Sequence, residues 1–209
     1  MPDSNLQQAS SSAEPQDRHQ QILDAAARMF FERGYRETRL SDIADAIDIK
    51  AASIYHHFKN KQELLATLIV QMMDELIDAA SASIMMATAP EDQLDSMVRS
   101  YVYVVGSRPT QGMIGDRELH NLEDITRAIV ISKRDQYEKL LQGILDYGRT
   151  TGVFTQADTQ FTTFAILGMC NHIGLWYQPS GRLQLDQIAD LASDAALRLA
   201  GTDSAALNG

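Results

Sequence analysis

Cysteine is almost absent. Cys170 is the single one in 209 residues, so no internal disulfide can form and the chain suits a reducing cytoplasm. No apolar run approaches the roughly 18 residues that would read as a membrane span, which excludes membrane partnership of that kind. There is no His-Glu-x-x-His, no pair of cysteines and no glycine-rich phosphate loop, so no metal, cofactor or catalytic centre is expected. Asp116-Arg117-Glu118-Leu119-His120 gathers ionisable groups, but Asp116, Glu118 and His120 alternate instead of sharing a helical face, and read as a solvated turn. Cys170 has neither a cation nor a helix start beside it, and reads as packing. Strand alternation and internal repeats are also missing. What remains is an all-helical, non-enzymatic chain long enough to bury a core in one or two small domains.

Positive charge is scarce too. The net charge is −10, which by itself argues against a nucleic-acid coat. The distribution is uneven: residues 18–65 carry +1, residues 66–209 carry −8, and the first 17 residues carry −3. That opening stretch, Met1 to Asp17, is rich in Ser and Gln with almost no apolar residues, and is expected to be a disordered arm and not a signal peptide.

The most informative stretch is Leu40 to Lys61. Ile43, Ala44 and Ile47 fall on one helical face, a break follows at Asp48-Ile49, and a second short helix carries Ile54 and Phe58 inward. Two short helices joined by a tight turn, with Ala44 and Ala52 small enough for close approach, form the pattern of a helix-turn-helix. The outward residues of the second helix would be Lys50, Ala51, Ser53, Tyr55, His56 and His57, mostly hydrogen-bond donors suited to phosphates and base edges.

A first helix is expected from about Arg18 to Arg33, with Ile22, Leu23, Ala26, Met29 and Phe30 buried and Gly34 ending it. Asn60 and Glu63 read as a capping box opening a long helix to about Ala87. Pro90 starts the next helix, and Gly106 to Gly112 reads as the clearest loop of the body. A short helix near Arg117–Leu122, a long one from about Glu123 to Arg149 with Ile125 and Ile129 in its stripe, and a final pair at about Asp158–Tyr177 and Leu185–Ala200 complete the chain.

Thr38 to Leu65 resembles the DNA-binding signature of TetR-family regulators, carried here by Ile43-Ala44, Tyr55-His56-His57-Phe58 and Lys61-Gln62-Glu63-Leu64, and extending back through Ile22 to Ala26, Phe30 and Gly34-Tyr35. Two positions depart from that pattern. Asp48 stands where a turn glycine is usual, and Asp tolerates the left-handed conformation better than most residues. Lys50 stands where a Ser or Thr cap is usual, which gives up about 1 kcal/mol of capping but places a cation where DNA would lie.

The resemblance implies a homodimeric regulator, a repressor of a palindromic double-stranded DNA operator, released when a small-molecule effector enters the body and moves the helix that begins at Lys61. Tyr55, His57 and Lys61 are then the expected phosphate contacts, with Thr38 either capping or meeting a phosphate. Lys50, Ala51 and Ser53 are the base-edge candidates, and His56 either serves one of these roles or is simply solvated. It also implies a body domain over 66–201, following a DNA-binding head at 18–65, with a flexible tail at 202–209.

Within the body, Met72, Met97, Tyr101, Arg108, Met113, Asn171 and Trp176 are the candidate effector contacts. Methionine adapts to irregular ligands but fills cores equally well. The segment Gly168 to His172 with Trp176-Tyr177 resembles one branch of the family, several members of which respond to acyl-CoA thioesters, and Arg108 is the candidate for meeting CoA phosphates. Phe161, Phe164, Gly168, Ile188, Ala192 and Ala195 are the candidate dimer contacts, since the family pairs through its last two helices. Read from periodicity alone, the same residues could be a buried hairpin within one chain. A helical ligand-binding protein or enzyme whose head no longer binds DNA is the alternative of a different class.

Overall fold

The computed structural model describes residues 15–202, with side chains from residue 18. The described residues contain nine α-helices, one 3-10 turn and no strand. The expected arm lies mostly outside them, although the backbone of 15–17 already belongs to the first helix; of the expected tail only Thr202 is described, and it closes the last helix through Leu197 O.

Helix α1 (Pro15–Arg33) buries Ile22, Leu23, Ala26, Met29 and Phe30, the stripe expected from its spacing. Gly34, at φ 87°, turns the chain out of the helix through a left-handed conformation that side chains resist. Helices α2 (Leu40–Ala46) and α3 (Ala51–Tyr55) follow, joined by a turn in which Asp48 takes φ 54°. Asp48 therefore does the work of a turn glycine. The Asp42 carboxylate accepts the Arg39 N–H at 3.0 Å and anchors the start of α2.

Helix α4 (Lys61–Met86) opens on the expected cap. Asn60 Oδ1 accepts the Glu63 N–H at 2.8 Å, while the Glu63 carboxylate reaches back to the Lys59 N–H at 2.5 Å. The residues of α4 up to Ile69 join the head's apolar core, and those from Met72 onward join the body's. One continuous helix thus belongs to both cores.

Helix α5 (Pro90–Ser107) is the central strut of the body, packed on α4, α7 (Asp124–Thr150), α8 (Thr159–Trp176) and α9 (Leu185–Ala200). Gly106 lies so close to Leu185 that a Cβ has no room, which lets α5 and α9 approach. Ser193, fully buried on α9, donates to Asp95 of α5 at 2.5 Å, and Arg99 joins Asp95 to Asp190.

Three expectations are corrected here. The stretch 106–112 is not a loop: α5 runs to Ser107 and α6 (Pro109–Arg117) begins two residues later, because Pro109 is preorganised for a first helical turn and the glycines permit close packing. The short helix expected near Arg117–Leu122 contracts to a 3-10 turn at Leu119–Asn121. On α7, Ile125 and Ile129 are exposed, and Val130 is the residue buried in that part of the helix. Helix α6 sits between head and body, touching α1, α4 and α8.

Candidate DNA interface and effector cavity

The outer face of the helix-turn-helix carries Lys50, Ala51, Ala52, Tyr55 and His56, all exposed, with Ser53 and His57 half-buried. Ile54 and Phe58 anchor this face from below, fully buried. Ala52 faces solvent and not the helix crossing, since a helix of five residues has room for one inward row only. Lys50 occupies the N-cap of α3 without a side-chain cap, so its ammonium is left for other partners. His57 sits beside His19 of α1, ring centroids 6.1 Å apart, and His19 packs on Phe58. Partial burial, then His19, His56 and Arg18, hold the His57 imidazole below its ordinary pKa.

Two expected DNA contacts turn inward. Thr38 is fully buried and its hydroxyl donates to Gly34 O at 2.9 Å and Met29 O at 3.3 Å, closing the end of α1. Lys61 Nζ donates to the carbonyls of Tyr35, Thr38 and Arg36 at 2.8, 2.9 and 3.3 Å, and lies 4.3 Å from the centre of the Tyr35 ring. Burial lowers its pKa while Glu37 and Glu118 oppose that effect. Its three N–H bonds are occupied, so Lys61 holds the α1–α2 connection and is not poised for a phosphate.

In the body, a cavity of about 350 Å³ lies between α4, α5, α6, α7 and α8, within the range of small-molecule sites. Its wall is mainly apolar, with Ile69, Met72, Leu76, Val105 and Leu167. Of the expected contacts, Met72, Tyr101 and Asn171 line it, the Tyr101 hydroxyl donating to Asn171 Oδ1. The other four do not. Met97 is buried in the body core, Met113 lies beside Gly174, Trp176 is half-exposed at the end of α8, and Arg108 pairs with Glu75. The polar groups the sequence reading missed are Gln111, Asp116, Arg134, Tyr137 and Glu138. Arg134 bonds Asp116 at 2.7 Å, so the ionisable lining has two carboxylates to one guanidinium. Asp116 reads from sequence as part of a solvated turn, and Tyr137 carries no signal of its own there; spacing alone gives no sign of an enclosed space.

The cavity wall is wired to the head through α6. Gln111, buried and lining the cavity, donates to Asp24 of α1 at 3.1 Å. Arg117 donates to Phe31 O at 3.1 Å, and Glu118 accepts the Tyr35 N–H at 3.4 Å. Below them Asn121 accepts from Arg36 and Gln62. Helix α4 provides the second route, its Ile69 and Met72 touching cavity and core alike.

The expected dimer contacts divide between surface and interior. On α8, Phe161 (71 % exposed), Phe164 and Gly168 are on the surface, and Phe164 and Gly168 also line the cavity. On α9, Ala195 is half-buried, but Ile188 and Ala192 (5 % exposed) pack into the body core. The exposed apolar residues of α9 are Leu191 and Leu199. Among the described residues no group of His, Cys, Asp and Glu could hold a metal, and no helix is long and apolar enough to cross a membrane.

Comparison with known proteins agrees with this architecture. The HTH-type transcriptional repressor KstR2 of Mycolicibacterium smegmatis is 26% identical over 178 residues, covering 84% of this chain and 87% of that protein. The structure of the ketosteroid transcriptional regulator KstR2 of Mycobacterium tuberculosis superposes with a TM-score of 0.81 at 25% identity, over 91% of this chain and 95% of the other. AibR, in complex with isovaleryl coenzyme A and operator DNA, matches with a TM-score of 0.76 at 28% identity, over 89% of this chain and all of that one. Residues 22–68 match the model of bacterial regulatory proteins of the tetR family, and residues 87–200 the Tetracyclin repressor-like C-terminal domain. Head and body both match, and the chain belongs to the TetR family of DNA-binding transcriptional regulators.

Proposed function

We propose that the protein is a homodimeric repressor whose operator is released when an apolar effector occupies the body cavity. The observation that carries this reading is the direct bonding of the cavity wall to the head: Gln111 touches both the cavity and α1, and α4 runs unbroken from one to the other. A ligand that separates α4 from α6 shifts the base on which the helix-turn-helix rests. Two such heads, held about one duplex turn apart (roughly 34 Å), match a palindrome, and a change in their spacing lowers affinity for it. Reciprocally, DNA weakens effector binding by the same factor.

The exposed donor-rich face of α3 is the DNA-reading surface, with Tyr55 and His57 toward phosphates and Lys50, Ala51 and Ser53 toward base edges. His56 is exposed at the same edge. Because AibR binds isovaleryl coenzyme A, short acyl thioesters head the panel of effectors to try. Arg108, the expected phosphate contact for such a molecule, is paired with Glu75 and does not line the cavity.

The test is selection of DNA sites from a random pool by the full chain, followed by anisotropy titration at several salt concentrations. A palindromic site bound with steep salt dependence is the expected result. Failure to enrich any sequence would leave the helical ligand-binding protein without DNA affinity as the better reading.

A further inference from the structure

Tyr137 lies on α7, is 4 % exposed and lines the cavity. Its ring meets that of Tyr101 edge-on, centroids 5.5 Å apart, yet its hydroxyl has no hydrogen-bond partner among the described residues, whereas the Tyr101 hydroxyl is engaged by Asn171. A hydroxyl at a cavity wall with no protein acceptor for its proton is free to donate to a molecule that enters. We infer that Tyr137 is the residue that selects the effector, donating its hydroxyl hydrogen to an uncharged carbonyl oxygen on an otherwise apolar molecule. The inference rests on the reading of the cavity as the effector site and specifies its chemistry.

Three features point to that class. Burial raises the Tyr137 pKa well above the phenol range, so the group remains a donor at any physiological pH. A ligand donor has Asp116 and Glu138 to choose from, so a hydrogen-bond donor on the ligand does not need the phenol. A carboxylate on the ligand meets Glu138, which pairs with no cation among the described residues, while the cation of the lining, Arg134, is already bonded to Asp116. An uncharged acceptor, as in a ketone, an ester or a thioester, meets the phenol without that repulsion.

The test uses matched probes on the full chain. Uptake of the fluorescent hydrocarbon-like amine N-phenyl-1-naphthylamine reports whether the cavity admits apolar molecules at all. Its displacement is then compared for 4-phenylcyclohexanone, phenylcyclohexane and 4-phenylcyclohexanecarboxylate, which share a skeleton. The ketone should displace the probe at roughly three- to ten-fold lower concentration than the hydrocarbon, and the carboxylate should be weakest. In Tyr137→Phe the ketone's advantage should vanish while the hydrocarbon is unchanged. Should that variant fold poorly, the carbonyl stretch of the ketone labelled with carbon-13, bound to the unmodified protein, should lie below its frequency in hexane.

Equal displacement by ketone and hydrocarbon, an advantage that survives in Tyr137→Phe, or an unshifted carbonyl stretch would overturn the assignment to Tyr137 while leaving the effector cavity standing. Absence of probe uptake by the unmodified protein would remove both.

Discussion

A lysine ammonium has three N–H bonds, and at Lys61 each meets a backbone carbonyl of the α1–α2 connection. Hydrogen bonds to charged groups are each worth about 1.5–3 kcal/mol when well formed; at this half-buried site, discounted for solvent, the set is worth about 2 kcal/mol in all. Lys61→Met should therefore lower the melting temperature by about 5 °C, seen by circular dichroism, and weaken operator binding without removing about one unit of salt slope, as loss of a phosphate contact would. Lys50 behaves oppositely. Lys50→Ser should stabilise the fold by about 1 kcal/mol through a restored cap, while site selection shows relaxed preference at one base pair of each half-site. His57 adds a pH effect. Its folded pKa is lowered from the ordinary value of 6.5, chiefly by burial, so the folded state prefers the neutral ring. The associated stability is present above about pH 6.5 and is lost as the pH falls through the folded value; His57→Gln should flatten that acid limb of the melting curve.

At the scale of elements, α6 is the piece with two loyalties. Its Gln111 lines the cavity and bonds Asp24, and its Arg117 bonds the last turn of α1 and lies over the Phe31 ring. Gln111→Met keeps the volume and removes the bond. Operator affinity without ligand should be little changed, while the factor by which an active effector reduces it should shrink. Family-scale couplings of 1–3 kcal/mol correspond to 5–150-fold, so a several-fold loss is measurable by paired anisotropy titrations. An unchanged factor would assign the coupling to α4 alone.

For the whole molecule, the question is which apolar face meets a second copy. Phe161 and Phe164 on α8 and Leu191 and Leu199 on α9 are exposed, in number more than scattered surface apolars require. Phe161→Arg or Leu191→Arg should give folded monomers by sedimentation, with weak operator binding, since a tethered pair of heads gains by effective concentration. Ala192→Arg should instead unfold the body, because Ala192 packs inside one protomer, where an unpaired charge costs several kcal/mol. A folded dimer from Phe161→Arg would move the interface elsewhere.

Most of the helices, several of their ends and the helix-turn-helix were readable from residues alone, α6 being the exception. Gly34, Asp48, Asn60 and Pro90 act within a few residues of themselves, so local chemistry decides their roles. Helical spacing likewise marked Ile54 and Phe58 as inward. What spacing could not decide is the identity of the neighbour. Met72 and Met97 sit in equivalent apolar stripes, yet one faces a cavity and the other a filled core; Ala192 and Phe161 looked like one surface, yet α5 covers the first. Lys61 was a surface cation by sequence until the α1–α2 connection, more than 20 residues earlier in the chain, brought its carbonyls to it. A period of 3.6 residues specifies a face of one helix, whereas a site is made by the faces of several, and their meeting is decided only when all of them pack.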